Sequence, residues 1–267
     1  MILYGKPVAE SIYKTLANQI ENFKKQGITP SLAVILVGND PASLVYIKVK
    51  EKVAHELGVI FKLYHFPETV SENDLEILIR DLNQNKYIHG ILIQLPLPQG
   101  FSDDKIIKTI LPDKDIDGFL LEHPATTAAA ILEILNYYNV ELNGKNIVLV
   151  GYGQLVGKPL EKLLMKKGIK PLVCDSNTKN IEKRTLEADI LISAVGIPGL
   201  IKQDMVKSNA IIIDAGTAES SGKMIGDVSP EVYEKVDTYT PNPGGVGPVT
   251  VAQLMKNLVE AAKNSIR

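Results

Sequence analysis

Short, wholly apolar runs closed by turn residues recur along this chain, and they constrain its fold more than any other feature. The clearest is LAVILV at residues 32–37, ended at once by Gly38-Asn39-Asp40-Pro41. A run that short is too brief for a helix. A strand wetted on one face would alternate, so the run reads as a parallel strand buried on both sides. Parallel strands need crossover helices, and the sequence supplies them. Ile12, Leu16, Ile20 and Phe23 recur at three- and four-residue spacing and predict a helix over 8–25. Helices over 42–57 and 72–83 alternate with strands over 60–66 and 90–94, giving a βαβαβ order. The loop PDKDIDG at 112–118 marks a domain boundary. Beyond it come a helix from 126 or 127 to 138, a strand over 146–150, a helix over 156–167, and strands over 172–174, 190–194 and 211–214. This second alternation predicts a Rossmann-like parallel sheet with helices on both faces. A final helix over 249–263 follows a Pro- and Gly-rich turn and can return to the first domain. At 267 residues two domains are expected. The fold class is α/β, with one domain over 1–119 and 249–267 and the other over 120–248.

Composition excludes several functions. With 29 basic and 31 acidic side chains the net charge is -2, so no global basic footprint points to nucleic acid. No stretch reaches the roughly 18 apolar residues of a membrane span, and the first residues lack a signal-peptide core. Cys174 is the only cysteine and has no disulfide partner in the chain, which fits a reducing, cytoplasmic setting.

The residues with chemical potential lie at predicted strand ends. Gly151, Tyr152, Gly153, Gln154, Val156 and Gly157 belong to a turn between strand and helix, where glycines let backbone N–H groups approach a pyrophosphate. The spacing is G-x-G-x-x-x-G instead of G-x-G-x-x-G, and a plain tight turn is the alternative. Asp175, at the end of the next strand, stands where a carboxylate accepts hydrogen bonds from an adenosine ribose and repels a 2′-phosphate. It reads equally well as a turn residue beside Ser176-Asn177-Thr178, and Lys179 works against the discrimination. Tyr46 and Lys50 are four apart on one helix face. In a cleft, a lysine desolvated beside a phenol can act as general acid or base; on an ordinary surface it is merely solvated. Gln94 ends a strand and can orient an amine, or simply satisfy its own backbone. Asp113, Asp115 and Asp117 alternate around Lys114 without the other ligands of a cation loop, and His55, His65, His89 and His123 show no metal-ligand spacing. No metal is expected. Gly244, Gly245 and Pro248 belong to PNPGGVGP, either a ligand-lining loop or a rigid turn between domains.

Taken together and in order, LAVILVGNDPASLVYIKVKEKVAHEL, GILIQLPLP, PDKDIDGF, VGYGQLVGKP and TPNPGGVGPVTVA resemble the methylenetetrahydrofolate dehydrogenase/cyclohydrolase family over most of the chain. The resemblance implies a folate-binding catalytic domain, a nucleotide domain, a cleft between them and a homodimer. It makes Lys50 the catalytic lysine, with Gln94 orienting it, Tyr46 positioning or stacking on the folate and Asp117 binding the pterin. It sets Gly244, Gly245 and Pro248 beside folate and nicotinamide. The implied chemistry is oxidation of 5,10-methylenetetrahydrofolate to the methenyl form with NAD or NADP, then hydrolysis to 10-formyltetrahydrofolate. Two departures stand out. After Phe119 the family carries a longer segment, whereas here Leu120-Leu121-Glu122-His123 leads straight to Pro124. That shortening leaves two other readings, a dehydrogenase without the hydrolytic step and a folate- or dinucleotide-binding protein without turnover. Tyr152, Gly153 and Asp175 also replace the family's usual contacts to the NADP phosphate, which tilts the expectation toward NAD.

Overall fold

The computed structural model describes residues 1–120, 122–220 and 223–265. Leu121, in the shortened segment, and the last two residues of the 249–267 segment lie outside the described residues. The chain divides into two compact units, one of Ser11–Pro124 with Leu254–Arg267, the other of Met1–Glu10 with Ala125–Gln253. The sequence boundaries differ from this division chiefly at the N-terminus. There Ile2 bridges Tyr239 in parallel and the Leu3 N–H donates to the Tyr239 carbonyl at 2.8 Å, tying the first residues to the unit that begins at Ala125.

In the first unit, α1 (Gly5–Lys25, whose first residues belong to the other unit) leads to β1 (Ser31–Val37), α2 (Pro41–Leu57), β2 (Ile60–Phe66), α3 (Glu72–Gln84), β3 (Gly90–Ile93) and α4 (Asp103–Ile107). The strands form a parallel sheet ordered β2-β1-β3, with Ser31 opposite Ile60 and Leu32 opposite Gly90. All seven residues of β1 are buried, as an unalternating central strand requires. One face packs Ala33, Ile35, Val37, Ile91 and Ile93 with Leu75 and Ile79 of α3. Each of those side chains except the methyl of Ala33 gains about 1.5–3 kcal/mol on leaving water.

The second unit holds α5 (Thr126–Tyr137), β4 (Ile147–Val150), α6 (Gly157–Lys166), β5 (Leu172–Cys174), α7 (Ile181–Thr185), β6 (Ile190–Ser193), β7 (Ile211–Asp214), β8 (Ala218–Ser220), β9 (Lys223–Ile225), α8 (Pro230–Lys235) and β10 (Thr238–Tyr239). Its main sheet is wholly parallel in the order β10-β7-β6-β4-β5, while β8 and β9 pair antiparallel apart from it. The fold is thus α/β with two parallel sheets, and the second is a Rossmann-like sheet of the 2-1-3-4-5 type. The chain ends in α9 (Val246–Asn264), which starts three residues before the expected 249. Val246, Gly247 and Pro248 form its first turn, where a proline loses nothing because first-turn N–H groups have no partner within the helix. Among the described residues no helix is long and apolar enough to cross a membrane.

Candidate functional site

In the first unit the chemistry gathers at the carboxyl ends of β1 and β3. Gly38 turns the chain at φ 81°, and the Asp40 carboxylate caps α2 by accepting from the Ser43 N–H at 2.7 Å. Pro41 opens the helix and Gly58 closes it at φ 74°. Ser43, Ile47 and Ala54 are the buried stripe of α2, and Lys50 completes that stripe at four-, three- and four-residue spacing. A lysine therefore sits where the periodicity calls for an apolar residue. Its Nζ donates to Gln94 Oε1 at 2.8 Å. Gln94 is buried, its own Nε2 donates to the Leu95 carbonyl at 2.7 Å, and its backbone N–H donates to the Ile35 carbonyl at 2.9 Å. Both ends of the amide are thus used, and its oxygen is turned toward the amine. The β2-β1-β3 order reverses direction between β1 and β3, the position where open parallel sheets hold ligands. Burial pulls the Lys50 pKa below the ordinary lysine value, and the Asp117 carboxylate opposes this more weakly.

Asp117 is positioned by a loop with several anchors. The Lys114 Nζ caps the end of α3 by donating to the carbonyls of Leu82, Asn83 and Asn85 at 2.9, 2.7 and 2.9 Å. Asp115 bridges to Ile91 of β3 and accepts from the Gly118 and Leu120 N–H groups at 3.2 and 2.6 Å. Burial lifts the Asp115 pKa, with those two hydrogen bonds pulling the other way. Asn257 of α9 donates to the Ile116 and Pro124 carbonyls at 2.8 and 2.9 Å. Asp115 is therefore turn structure, while the Asp117 charge bears on Lys50, and no cluster able to hold a metal occurs among the described residues. Three of the four histidines bond backbone: His89 accepts from Ser31 N–H, His65 pairs with the Gly38 carbonyl, and His123 with the Asp113 carbonyl. The structure brings Lys50, Gln94 and Asp117 together, with Tyr46 half-buried one helical turn before Lys50.

In the second unit the glycine turn comes directly after β4. Gly151 has φ 102°, and a Cβ there would lie 2.4 Å from the Ala194 carbonyl oxygen; one at Gly157 would lie 2.1 Å from the Gly151 carbonyl. A Cβ at Gly153 would meet nothing within 4 Å. Two glycines let strand, turn and helix close on one another, and the third faces open space before the first turn of α6. That arrangement fits a dinucleotide pyrophosphate. Gln154 is exposed and Val156 half-buried in the same turn. Tyr152 donates to Glu161 Oε2 at 2.5 Å, with the Lys158 ammonium 5.6 Å from its ring. Asp175, exposed after β5, accepts from the Asn177 N–H at 2.9 Å and the Thr178 hydroxyl at 3.1 Å. These bonds hold its carboxyl below the usual range, so it is a turn residue that also keeps its charge. Gly244 has φ 104°, and a Cβ at Gly245 would lie 2.5 Å from the Pro241 carbonyl. Gly245 thus serves the close packing of the turn, Gly244 supplies its left-handed backbone, and Pro248 lies in the first turn of α9.

Sequence reasoning missed two buried aspartates. Asp214 and Asp227 are 1% and 0% exposed and accept backbone N–H groups from the turns after β6 and β7. Asp214 ends a recognisable strand, but Asp227 carries no periodic or motif signal, since its partners lie about 30 residues away in sequence.

Comparison with known proteins breaks the chain at nearly the same point, near Pro124, but runs each match continuously in sequence, so that the two terminal segments fall on the other side of the division. Residues 3–117 match the family "Tetrahydrofolate dehydrogenase/cyclohydrolase, catalytic domain", and residues 124–266 match "Tetrahydrofolate dehydrogenase/cyclohydrolase, NAD(P)-binding domain". The chain is 42% identical to the bifunctional protein FolD of Aquifex aeolicus over 277 positions, covering 98% of this chain and 95% of that protein. It is 43% identical to FolD of Bacillus pumilus over 281 positions, covering 99% and 98%. That second span exceeds the 267 residues of this chain, so the relative carries residues this chain lacks. Among solved structures it is similar to the FolD methylenetetrahydrofolate dehydrogenase/cyclohydrolase of Campylobacter jejuni, with TM-score 0.93, 39% identity and 99% of each chain covered. It is also similar to the Trypanosoma brucei enzyme complexed with NADP cofactor and inhibitor, with TM-score 0.93, 32% identity and coverage of 100% and 98%.

Proposed function

Because this chain belongs to the tetrahydrofolate dehydrogenase/cyclohydrolase family, we propose how its residues divide two consecutive reactions on one folate. It is a methylenetetrahydrofolate dehydrogenase that uses NAD(P) and a methenyltetrahydrofolate cyclohydrolase. It oxidises 5,10-methylenetetrahydrofolate to 5,10-methenyltetrahydrofolate and hydrolyses that cation to 10-formyltetrahydrofolate. The observation that carries the assignment of residues is the half-buried Lys50 with its amine held 2.8 Å from Gln94 Oε1.

When bound, the nicotinamide supplies the hydride acceptor. The turn from Gly151 to Gly157 holds the pyrophosphate, with Tyr152, Gly153, Gln154 and Val156 lining it. For hydride transfer the protein mainly has to hold two rings at reacting distance. Tyr46 stacks on the folate, Asp117 binds its pterin, and Gly244, Gly245 and Pro248 bear on the ring system. Lys50 does the proton work of hydrolysis. With its pKa lowered by burial, a larger share of the amine is neutral near neutral pH, able to take a proton from the water that adds to the one-carbon bridge. Gln94 fixes the direction of that amine.

NAD is the preferred cofactor in this reading. Asp175 keeps a charged carboxylate at the end of β5, where it accepts from a ribose hydroxyl and repels a 2′-phosphate. The protein works as a homodimer, for which β2 offers an edge strand with Ile60 44% and Leu63 41% exposed. Its lone buried Cys174 suits a reducing, cytoplasmic setting. Sedimentation at twice the chain mass supports the dimer, and the monomer mass removes it. The test of function is an absorbance assay with 5,10-methylenetetrahydrofolate and either NAD or NADP. Cofactor reduction and rapid decay of the methenyl band are expected from the wild type, faster with NAD. Folate binding with no reduction by either cofactor would make the protein a binder without turnover.

A further inference from the structure

The 195–197 turn after β6 takes its shape from one distant side chain. The carboxylate of Asp227, fully buried, accepts from the Gly196 and Ile197 N–H groups at 2.8 Å each through Oδ1, and from the Val195 N–H and Ser193 hydroxyl at 2.7 Å each through Oδ2. Three successive backbone N–H groups converging on one anion form a nest of the kind that elsewhere binds phosphate. Here the anion is the protein's own. A second buried carboxylate, Asp214, accepts from the Asp227 N–H at 3.1 Å and the Gly216 N–H at 3.0 Å. No spare room surrounds the pair, since a Cβ at Gly216 would lie 2.2 Å from Asp227 Cγ. Burying an unshared carboxylate is costly, so four donors are needed merely to hold it there.

The position of that turn gives the arrangement a purpose. It begins at Ala194, whose carbonyl is the atom a side chain at Gly151 would strike, and Val195 Cγ2 lies 3.1 Å from the same Cβ position. The turn is therefore the wall opposite the glycine turn, at the point between β4 and β6 where the strand order of the second unit reverses. Ligands of such sheets sit in that crevice.

We propose that Asp227 is a positioning residue for the dinucleotide, acting through the 195–197 turn that it holds against the glycine turn of β4. The proposal rests on the reading of the second unit as NAD(P)-binding. Asp227→Asn keeps the size but replaces one acceptor oxygen with a donor, leaving at least one backbone N–H without a partner. Ser193→Ala removes a single hydroxyl and leaves the backbone contacts.

The experiment measures the Kd for NAD by calorimetry, together with hydrolysis of methenyltetrahydrofolate, which consumes no cofactor. Asp227→Asn should weaken NAD binding about tenfold to a hundredfold, the loss an unsatisfied buried donor brings. Hydrolysis should stay within about twofold, because that step uses no cofactor and its proposed proton carrier, Lys50 with Gln94, belongs to the other unit. Ser193→Ala should weaken NAD binding about two- to fivefold and leave hydrolysis alone. An unchanged Kd in both variants overturns the proposal, as does a parallel loss of hydrolysis, which marks a merely structural role. If Asp227→Asn does not fold, Ser193→Ala decides by the same two readouts. A wild type that binds neither NAD nor NADP refutes the reading of the unit itself, an outcome distinct from normal binding that the variants leave intact.

Discussion

β1 and β4 are each the central strand of a three-strand arrangement with the same order, β2-β1-β3 in one unit and β5-β4-β6 in the other. Each is followed at once by a glycine at positive φ, Gly38 at 81° and Gly151 at 102°. Beyond that glycine the two units diverge. After Gly38 the chain enters a capped helix that sends a lysine inward, so the site is made of side chains. A Cβ at Gly38 would meet the Glu68 side chain at 2.9 Å, a group that can move. After Gly151 the chain closes on the Ala194 carbonyl, a backbone atom fixed by its sheet, and the usable groups are N–H dipoles and open space at Gly153. In the proposed division of labour, one topology serves acid–base chemistry by placing a side chain, and dinucleotide binding by excluding one.

The sharpest way to break the comparison is to add a methyl group at each glycine. Gly151→Ala should raise the Kd for NAD by about a hundredfold or abolish binding, because a backbone clash at 2.4 Å must be relieved by opening the crevice. Calorimetric titration reads this directly, and hydrolysis by the other unit serves as the internal control. Asp175→Ser sharpens the cofactor side. The NADP to NAD ratio of kcat/KM should rise about five- to tenfold once the carboxylate is gone, and an unchanged ratio would remove that residue from cofactor choice. For the catalytic side, Asp117→Asn removes the charge that holds the Lys50 pKa up. That pKa then falls further, and the pH profile of hydrolysis should shift to lower pH; a shift to higher pH would contradict the assignment. Gly38→Ala should do least. It should cost about 1–2 kcal/mol for a non-glycine residue in the left-handed region, seen as a Tm lower by a few degrees with hydrolysis nearly intact.

Side-chain chemistry was more legible in the sequence than backbone chemistry. Buried runs alternating with crossover helices gave the parallel sheets, since β4 is apolar throughout and β1 is apolar after Ser31, and neither could fit elsewhere. Tyr46, Lys50 and Gln94 were visible by spacing and strand-end position. The stronger signal for Lys50, its place on the buried stripe with Ser43, Ile47 and Ala54, needed the helix phase to be fixed first. β10 has only two residues and gains its strand character from pairing with β7 and from the Ile2 bridge, neither of which is local. The start of α9 was misplaced because proline and glycine read as loop, although a first helical turn accepts both. Asp227 was invisible because nothing near it in sequence reveals which turn it holds.

Lys50 also ties the chemistry to stability. Its folded pKa is lowered, so between that value and the ordinary lysine value the unfolded chain binds more protons and stability rises with pH. The penalty for burying the charged amine stands in full below the lowered pKa and is gone above the unfolded value. Lys50→Met removes it, and at neutral pH that variant should melt higher than the wild type.

The same variant tests the central claim, that one unit's buried lysine performs hydrolysis while the other unit's turn holds the cofactor. The measurement is a continuous absorbance trace of Lys50→Met with 5,10-methylenetetrahydrofolate and NAD, recording reduced cofactor and the methenyl band together. Continued cofactor reduction with the methenyl form accumulating, and hydrolysis lowered by about a hundredfold or more, is the predicted result. Hydrolysis at the wild-type rate would show that the lysine held by Gln94 is not the group that moves the proton.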